Sequence, residues 1–455
     1  MDKSSIYEIV DRLNPALQDA ARYIWENPEL GGTEEKASAY YRKMIGDAGY
    51  QVHDIDGMPY AFYAEYGSGK PVIAILGEYD ALPGMSQKVC AAKEAVTEGA
   101  PGHGCGHNVL GAGAATAAIG MKEILSREEL PGTIRFYGCP EEELLIRGKV
   151  KMVAKHLFDD VDYVITWHPM CSTQVWDGAA LANVTARFYF TGISSHAGAA
   201  PEKGRSALDA VELMNVGVNY LREHVIDKVR IHYAVNCTTP PNVVHPKADS
   251  WYYIRAPHMS DVKDVLERVK KCALGAAMMT ETDVEIVVEG GCCEIRSNHA
   301  FADLVQENLE ACPRPEYTEE ELTFASELQA TVDPGVVARD QAVFETRNTP
   351  MMPNAGRRDL YVTAPLTAST DGGDVSFVAP MHMFASACWP VGVAPHTWQA
   401  AAANGTTLAE KGALYASKVI CGTVYDLLTK PEIAAAITKE FEETRDLDYS
   451  PMAAD

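Results

Sequence analysis

Hydrophobic and polar positions follow two different periods along the first part of the chain. Apolar residues at helical spacing predict two helices near the start, over 5–27 and 33–50. Short apolar runs then predict strands at 60–66, 72–76, 132–138 and 161–167. Between them, further helices are expected at 109–125 and 148–158. Strands that alternate with helices are typical of an α/β fold with a mostly parallel sheet.

From Val184 the order of the predicted elements changes to strand, helix, strand, strand, helix, strand. The predicted bounds are 184–190, 205–223, 229–235, 251–255, 260–278 and 284–288. This βαββαβ order is that of a complete ferredoxin-like domain. After Ile295 the α/β pattern resumes, with a helix at 301–312, a strand at 383–388 and helices at 406–428 and 431–444. We expect residues 446–455 to form a loosely held tail.

A glycine-rich stretch, residues 101–108, places two imidazoles and a thiol close together in the sequence. Thiolate and imidazole are the ligands that zinc-like ions select, and the interleaved glycines allow a backbone on which His103, Cys105 and His107 converge. The following helix would favour a thiolate near its N-terminus. A flexible loop with incidental histidines is the alternative interpretation, and the C-x-H spacing alone does not decide between them.

Four successive strands of the predicted sheet lead into potential ligands or acids. These are Asp80, the pair Cys105 and His107, the pair Glu142 and Glu143, and His168. Because the carboxyl ends of parallel strands lie at one edge of the sheet, we expect these side chains to gather there. Each group taken singly is equally typical of a solvated turn. Their recurrence favours a metal site.

Composition restricts the class of protein and of partner. The 455 residues exceed one ordinary core, which indicates two domains or one domain with a large insertion. A net charge of −24 argues against nucleic acid and anionic membranes as partners. The eleven cysteines have no regular spacing, no apolar run reaches a membrane-spanning length, and the first residues do not resemble a signal peptide. We expect a cytoplasmic protein with reduced thiols.

Taken in order, the motifs of this chain are similar to those of the amidohydrolase branch of the dinuclear-metal peptidases, which includes aminoacylase and carboxypeptidase relatives. The resemblance covers nearly the whole chain and is strongest to p-aminobenzoyl-glutamate hydrolases and indole-acetyl-amino-acid hydrolases. The motifs that carry it are Gly-Cys105-Gly-His107-Asn, Pro140-Glu-Glu142-Glu143, Trp167-His168-Pro, Ser195-His196-Ala-Gly-Ala-Ala-Pro201, Asn242-Val-Val, Arg255, Ser369-Thr-Asp-Gly-Gly-Asp374 and Pro395-His396-Thr.

The resemblance implies a role for each of these residues. Two divalent ions, Zn or Mn, would be bridged by Cys105, and the rest of their ligands would be His107, Glu143, His168 and His396. Glu142 would be the general base. His196 would stabilise the oxyanion from the partner subunit. Asn242 and Arg255 would recognise the substrate's free carboxylate, although Arg255 is equally able to pair with an acid of its own domain.

The same resemblance implies the organisation and the substrate. Residues 1–182 and 297–455 would form the catalytic domain, and residues 183–296 an inserted dimerisation lid. The protein would be a homodimer or would pair with a paralogous subunit. It would cleave N-acyl or N-aroyl amino acids, p-aminobenzoyl-glutamate by preference. A dipeptidase or carboxypeptidase activity and a hippurate-type hydrolase are the alternatives.

Several positions depart from the family pattern or leave alternatives open. The run Glu141-Glu142-Glu143 permits a register in which base and ligand are shifted by one residue. Glu78 stands where other branches have a histidine, so it is either a substitute ligand or an acid behind the ligands. Asn108 stands where an aspartate is frequent, and His103 is a rival ligand.

Two other classes of protein share parts of this pattern. A binding protein with a dead site would be expected to have lost Glu142 or a ligand, and none is missing. A thiol enzyme would pair Cys105 with His107 as nucleophile and base. Two residues so close on a glycine loop suit shared metal ligation better than that pairing.

Overall fold

The computed structural model of the protein describes residues 1–144, 147–178, 180–346, 349–352, 355–356 and 368–453. The helices in this part of the chain are α1 Lys3–Arg12, α2 Asn14–Glu26, α3 Glu35–Asp47, α4 His107–Glu128, α5 Gly148–Ala154, α6 Ala207–Leu221, α7 Met259–Thr280, α8 His299–Ala311, α9 Glu319–Gln329, α10 Pro334–Val343, α11 Gly372–Val378, α12 Trp398–Ala403, α13 Thr407–Thr429 and α14 Pro431–Thr444. The strands are β1 Gln51–Asp54, β2 Phe62–Ser68, β3 Val72–Glu78, β4 Gly132–Cys139, β5 Tyr163–Met170, β6 Gln174–Val175, β7 Ala182–Thr191, β8 Arg230–Asn236, β9 Lys247–Ala256, β10 Asp283–Cys292 and β11 Met381–Ala387.

The larger sheet has seven strands in the order β1-β2-β4-β3-β5-β11-β6. Its four central strands, β4, β3, β5 and β11, are parallel, and antiparallel pairs are added at both edges. Every residue of β3, β4 and β11 is buried. Continuous apolar runs are typical of strands covered by helices on both faces. The α/β class with a mostly parallel sheet is therefore confirmed.

Helix α4 is the central helix of this part of the fold. It packs against β3 on one side and against α2 and α13 on the other. Its small residues permit this close packing, because a Cβ at Gly113 would lie 2.9 Å from the ring of Trp167. The helix is long and apolar enough to span a membrane, but 78% of that stretch is buried inside the protein. It is thus the core helix of a folded domain. No apolar stretch of this length was expected from the sequence.

The second sheet has four antiparallel strands in the order β10-β7-β9-β8. Helices α6 and α7 pack together and contribute to a separate core with the buried residues of this sheet. The elements follow the predicted βαββαβ order. All of them lie within 182–292. The exact domain limits at 182/183 and 296/297 stay a prediction.

Both connections between the two sheets lie at the same end of the smaller one. Ala182 at the start of β7 pairs with Ala256, and Cys292 at the end of β10 pairs with Asn183. The opposite end of β7, at Thr191, therefore lies farthest from the seven-stranded sheet. This polarity decides which predicted site residues can reach the cavity described below.

The structure differs from the predicted elements in three respects. The helix expected at 5–27 is two helices, because Pro15 lacks the N–H that a continuous helix requires. The elements β1, β6, α9, α10, α11 and α12 were not predicted. For the described part of the tail the prediction is wrong, because Tyr449 packs against the core of the smaller domain and against a core of the larger domain, and Met452 packs against the core of the smaller domain. The last two residues, 454–455, lie outside the described part of the chain.

Candidate metal centre

A cavity of about 690 Å³ opens at the carboxyl edge of the parallel strands, facing the smaller sheet. Its wall combines residues of the larger domain with residues of β8 and β9. Those that carry predicted chemistry are Cys105, Glu142, Glu143, His168, Arg255 and His396. The convergence expected for successive strand ends is therefore present in the fold.

The glycine loop brings Cys105 and the first residue of α4 to this edge. Gly106 has a φ of 86°, and a Cβ there would lie 2.6 Å from Pro169. Only glycine fits such a left-handed, crowded position. His107 follows it and is fully buried. Its Nδ1 lies 2.8 Å from Asp80 Oδ1, a contact that leaves Nε2 directed into the site.

His168 has a comparable arrangement at the end of β5. Its Nδ1 donates to the carbonyl oxygen of Pro169 over 2.8 Å, which assigns the proton to Nδ1 and leaves Nε2 as a free acceptor. That Nε2 lies 3.4 Å from the sulfur of Cys105. The ring of Trp176 stacks on the imidazole, with centroids 5.6 Å apart. The imidazole is thus held in the orientation of a metal ligand.

Glu143 and His396 form the other side of the site. His396 Nε2 lies 3.2 Å from Glu143 Oε1, and the backbone N–H of Glu143 donates to Asp80 Oδ2 over 2.7 Å. Asp80 therefore holds both His107 and Glu143 in place. His396 has a φ of 61°, an uncommon left-handed conformation for a residue with a side chain. Strain of this kind is typical of functional positions.

The donor atoms form groups that are small enough to hold single ions. One group is Cys105, His107 and His168, and another is Cys105, Glu143 and His396, with the donor atoms of each group within 4.8 Å of one another. Cys105 belongs to both. Sulfur, nitrogen and oxygen donors in such groups suit zinc-like ions.

Orphaned atoms support a fit between these residues and metal ions. His107 Nε2 and Glu143 Oε1 are buried and form no hydrogen bond of acceptable geometry with any residue that the structure describes. Burial and the nearby Glu143 raise the pKa of the Cys105 thiol well above its usual value. A bound cation would reverse this effect and hold a thiolate. Without one the thiol is protonated, the opposite of an activated nucleophile, and the thiol-enzyme interpretation loses its basis.

The three consecutive glutamates do not all face the site. Glu142 is buried, lines the cavity and forms a third ligand-sized group with Glu78 and His107. Burial, together with the charges of Glu78 and Glu143, raises the pKa of Glu142 well above that of an ordinary carboxyl. Glu141 instead accepts a hydrogen bond from Lys151 Nζ over 2.7 Å. This geometry favours the register in which Glu142 and Glu143 face the site.

Arg255 lines the same cavity from β9. One of its guanidinium nitrogens donates to Ser369 Oγ over 2.8 Å, and the ring of Tyr253 lies 5.9 Å from the guanidinium carbon. Among the described residues, no carboxylate pairs with Arg255. The alternative in which Arg255 neutralises an acid of its own domain therefore has no support in the described structure.

His196 and Asn242 do not lie at this cavity. Both occupy loops at the far end of the smaller sheet, where the backbone N–H of Ala197 donates to the carbonyl of Asn242 over 3.0 Å. Arg255 is at the opposite end of β9, eight residues beyond Lys247. An extended strand of that length covers about 26 Å, so Asn242 and Arg255 of one chain cannot hold the same carboxylate.

Comparison with known proteins agrees with this geometry. The model of peptidase family M20/M25/M40 matches residues 74–355, and the B subunit of p-aminobenzoyl-glutamate hydrolase from Escherichia coli K12 is 40% identical over 97% of this chain and 96% of its own length. The chain belongs to peptidase family M20/M25/M40. The predicted resemblance is confirmed, as is the prediction of a hydrolase that acts on linear amide bonds.

Two further proteins show the range of those similar to this chain. An Xaa-Arg dipeptidase of Mus musculus is 26% identical over 96% of this chain and 91% of its own length. The crystal structure of the YXEP protein of Bacillus subtilis, described as a dinuclear metal binding peptidase, covers 92% of this chain and 99% of its own with 16% identity and a TM-score of 0.60. That likeness concerns the fold. Membership in the family and the donor groups support binding of divalent metal.

Sequence reasoning missed several residues at this M20 site. Lys149 and Asp371 form a buried ion pair behind the ligands, and Trp176 and His232 line the cavity. No periodicity distinguishes a buried lysine from an exposed one, and Trp176 lies beside a strand of two residues. His103, the rival ligand, is buried against the carbonyl oxygen of Ile24 and belongs to none of the donor groups formed by the described residues.

Proposed function

We propose that the protein is an amidohydrolase with two divalent ions, zinc or manganese, that cleaves N-acyl or N-aroyl amino acids, with p-aminobenzoyl-glutamate as the preferred substrate. The observation that carries this proposal is the position of Cys105 in two donor groups beside the buried Glu142. The name of the Escherichia coli relative supports the choice of substrate.

The proposed ligands are Cys105 in the bridging position, with His107 and His168 on one side and Glu143 and His396 on the other. When bound, such ions polarise an amide carbonyl and lower the pKa of water. Asp80 orients His107 and fixes the backbone of Glu143. Ordered ligands of this kind reduce the rearrangement that binding requires.

Glu142 is proposed as the general base and acid. It lines the cavity beside the donor atoms, where its carboxylate can accept a proton from water and later pass it to the leaving nitrogen. Its matched neighbour Glu141 is engaged by Lys151 and lies outside the three donor groups.

Arg255 is proposed to bind the free carboxylate of the substrate. A guanidinium forms a fork that matches a carboxylate, and an otherwise acidic protein needs a local cation to hold an anionic substrate. Apolar side chains of Leu82, Met170, Trp176, Ile295 and Met383 line the same cavity. They provide room for an aromatic acyl group next to the reacting amide.

The site is proposed to be completed by a second chain. His196 and Asn242 lie too far from the cavity of their own chain, whereas a partner docked on the smaller domain can present both. Helices α6 and α7 expose apolar side chains at Val216, Tyr220, Leu274 and Met278. The partner is a second copy or a paralogous subunit. The names of the Escherichia coli relatives distinguish two subunits of one hydrolase, both similar to this chain, which supports a paralogous partner.

A substrate series tests the proposal. Purified protein loaded with Zn²⁺ or Mn²⁺ should release p-aminobenzoate from p-aminobenzoyl-glutamate faster than it cleaves hippurate or an Xaa-Arg dipeptide. Replacement of the α-carboxylate by a carboxamide should lower kcat/KM by about 10- to 100-fold, the usual effect of losing a charge-assisted pair. Equal cleavage of both forms would contradict the role of Arg255. A preference for the dipeptide would favour the dipeptidase alternative.

A further inference from the structure

Behind the proposed ligands lies a trio of buried charges formed by Glu78, Lys149 and Asp371. Lys149 Nζ donates to Glu78 Oε1 over 2.8 Å and forms a close ion pair with Asp371 Oδ1. The second oxygen of Asp371 accepts the backbone N–H of Lys149 over 2.7 Å. The three side chains are at most 2% exposed. Asp371 thus binds both the backbone N–H and the ammonium group of Lys149, and the same ammonium group binds Glu78.

Each member of the trio comes from a different element at the carboxyl edge of the sheet. Glu78 is the last residue of β3, Lys149 lies in the first turn of α5, and Asp371 precedes α11. Burying such charges costs several kcal/mol per ion before their attraction is counted, and well-packed apolar residues often stabilise a core equally well. Stability alone therefore does not account for the trio.

The free oxygen of Glu78 points to a different use. Glu78 Oε2 lies 3.2 Å from His107 Nε2, although the two do not form a hydrogen bond of acceptable geometry. His107 Nδ1 is already engaged by Asp80, so Nε2 faces a carboxylate oxygen at the same short distance. The imidazole nitrogen and the carboxylate oxygen are both electron-pair donors, so a divalent ion bound between them would be coordinated by both.

We propose that Glu78 is an additional ligand at the metal position of His107, and that Lys149 is the positioning residue that fixes it there. Lys149 occupies Oε1, which leaves Oε2 alone to face the ion. The donor atoms of Glu78, His107 and Glu142 lie within 4.8 Å of one another, which agrees with this assignment. The inference rests on the proposed metal centre and adds a ligand and its support to it.

The test is a metal titration of chelator-stripped protein, followed by calorimetry with Zn²⁺ and by the visible spectrum with Co²⁺. Glu78→Gln keeps the shape of the side chain and an oxygen for Lys149 but removes the charge. It should weaken one of two Zn²⁺ equivalents by at least about 10-fold and alter the Co²⁺ spectrum. Lys149→Met should weaken the same equivalent by about 10- to 100-fold, the range for groups that orient ligands.

A matched control and the unfolding midpoint separate a ligand from a purely structural group. Glu34→Gln changes another buried carboxylate near Asp80 that belongs to none of the described donor groups, and it should bind both equivalents like the wild type. The double variant of Glu78 and Lys149 should bind no more weakly than the worse single variant, because both act on one ligand. Melting of the metal-free variants reports any loss of fold independently.

The outcomes distinguish this inference from the proposed function. If wild type binds two ions and Glu78→Gln binds them equally well with an unchanged Co²⁺ spectrum, Glu78 is not a ligand and the inference fails alone. If Lys149→Met retains full affinity while Glu78→Gln loses it, the positioning role of Lys149 is overturned. If wild type binds no divalent ion, the proposed metal centre itself fails.

Discussion

The three glutamates that follow β4 illustrate how one residue can decide a site. Glu141 has a φ of 62°, and this left-handed turn separates its side chain from the next two. Its carboxylate meets Lys151, whereas Glu142 and Glu143 line the cavity. A left-handed backbone at a residue other than glycine leaves no mark in hydrophobic periodicity. The sequence therefore located the cluster but left its register open.

Substitution of each glutamate separates base from ligand. Glu142→Gln should retain metal and fold while kcat falls by about 10²- to 10⁴-fold, because a proton acceptor is removed. Glu143→Gln should bind metal more weakly. Glu141→Gln serves as the control and should remain active. Metal content and kcat are measured for the three variants. An inactive but metal-loaded Glu141→Gln protein would mean that the base is Glu141 and the ligand Glu142.

Glu34 provides a prediction about pH. It is fully buried, its Oε1 accepts the backbone N–H of Glu141, and burial and the charge of Asp80 raise its pKa from 4.5 to about 7. The folded state thus binds this proton more tightly than the unfolded state. The contribution of Glu34 to stability is complete below about pH 4.5 and is lost as the pH rises towards 7.

The substitution Glu34→Gln should remove this dependence. The amide keeps the accepting oxygen, and the second carboxylate oxygen has no hydrogen-bond partner in the described part of the chain. In metal-free protein, the unfolding free energy of the variant should rise relative to that of the wild type by up to about 3 kcal/mol as the pH increases from about 5 to 8. Thermal melts at both pH values measure the difference. If the variant and the wild type differed in unfolding free energy by the same amount at pH 5 and at pH 8, Glu34 would not titrate in this range.

At the scale of elements, the buried parallel strands were the most predictable part of the fold. Their apolar runs are continuous, as burial on both faces requires. Strand β1 was missed because it is a short edge strand without a buried residue. Helix α9 was missed although its capping box, Thr318 with Glu321, is a recognisable start signal, and α10 begins with the similar signal Asp333-Pro334.

The C-terminal segment was predicted to be loose because chain termini are often poorly ordered, but its described residues make tertiary contacts. Tyr449 donates to the buried Asp374 over 2.6 Å, and its ring packs against that of Phe377 with centroids 4.8 Å apart and planes tilted by 30°. The carbonyl of Met452 accepts the backbone N–H of Gly291 near the end of β10. Tyr449 and the backbone of Met452 thus anchor the segment beside the connection between the two sheets.

Removal of one hydroxyl tests this anchor. Tyr449→Phe keeps the ring packed against Phe377 but leaves an oxygen of Asp374 without its donor, which should cost about 1–3 kcal/mol of unfolding free energy. Tyr23→Phe is the matched control, since its ring also packs against an aromatic ring, that of Tyr40, and its side chain is more exposed. Melting midpoints of the two variants provide the comparison. If Tyr449→Phe and Tyr23→Phe melted at the same temperature, the hydroxyl of Tyr449 would contribute nothing to stability.

At the scale of the whole molecule, sequence reasoning found the inserted βαββαβ unit but not its polarity. Motif order does not tell at which end of a strand a loop lies relative to the other domain. The pairing of Ala182 with Ala256 fixes that polarity and puts Arg255 at the cavity. It also puts His196 and Asn242 at the far end. The structure of one chain therefore contains the two halves of the proposed substrate site at separate places.

Complementation between inactive chains tests whether two chains form one site. Co-expressed Glu142→Gln and His196→Ala chains, purified as a heterodimer through different tags, should contain one complete site out of two and show about half of the wild-type activity.

Arg255→Ala should complement His196→Ala in the same way, because the cavity supplies Arg255 and the partner supplies His196. Asn242→Ala should not complement His196→Ala, since both residues come from the same side. Each variant purified with its own kind serves as the control. A heterodimer that forms but stays inactive in the first two pairs would place the whole site in one chain, and the loops at the far end of the smaller sheet would lose their proposed role in catalysis.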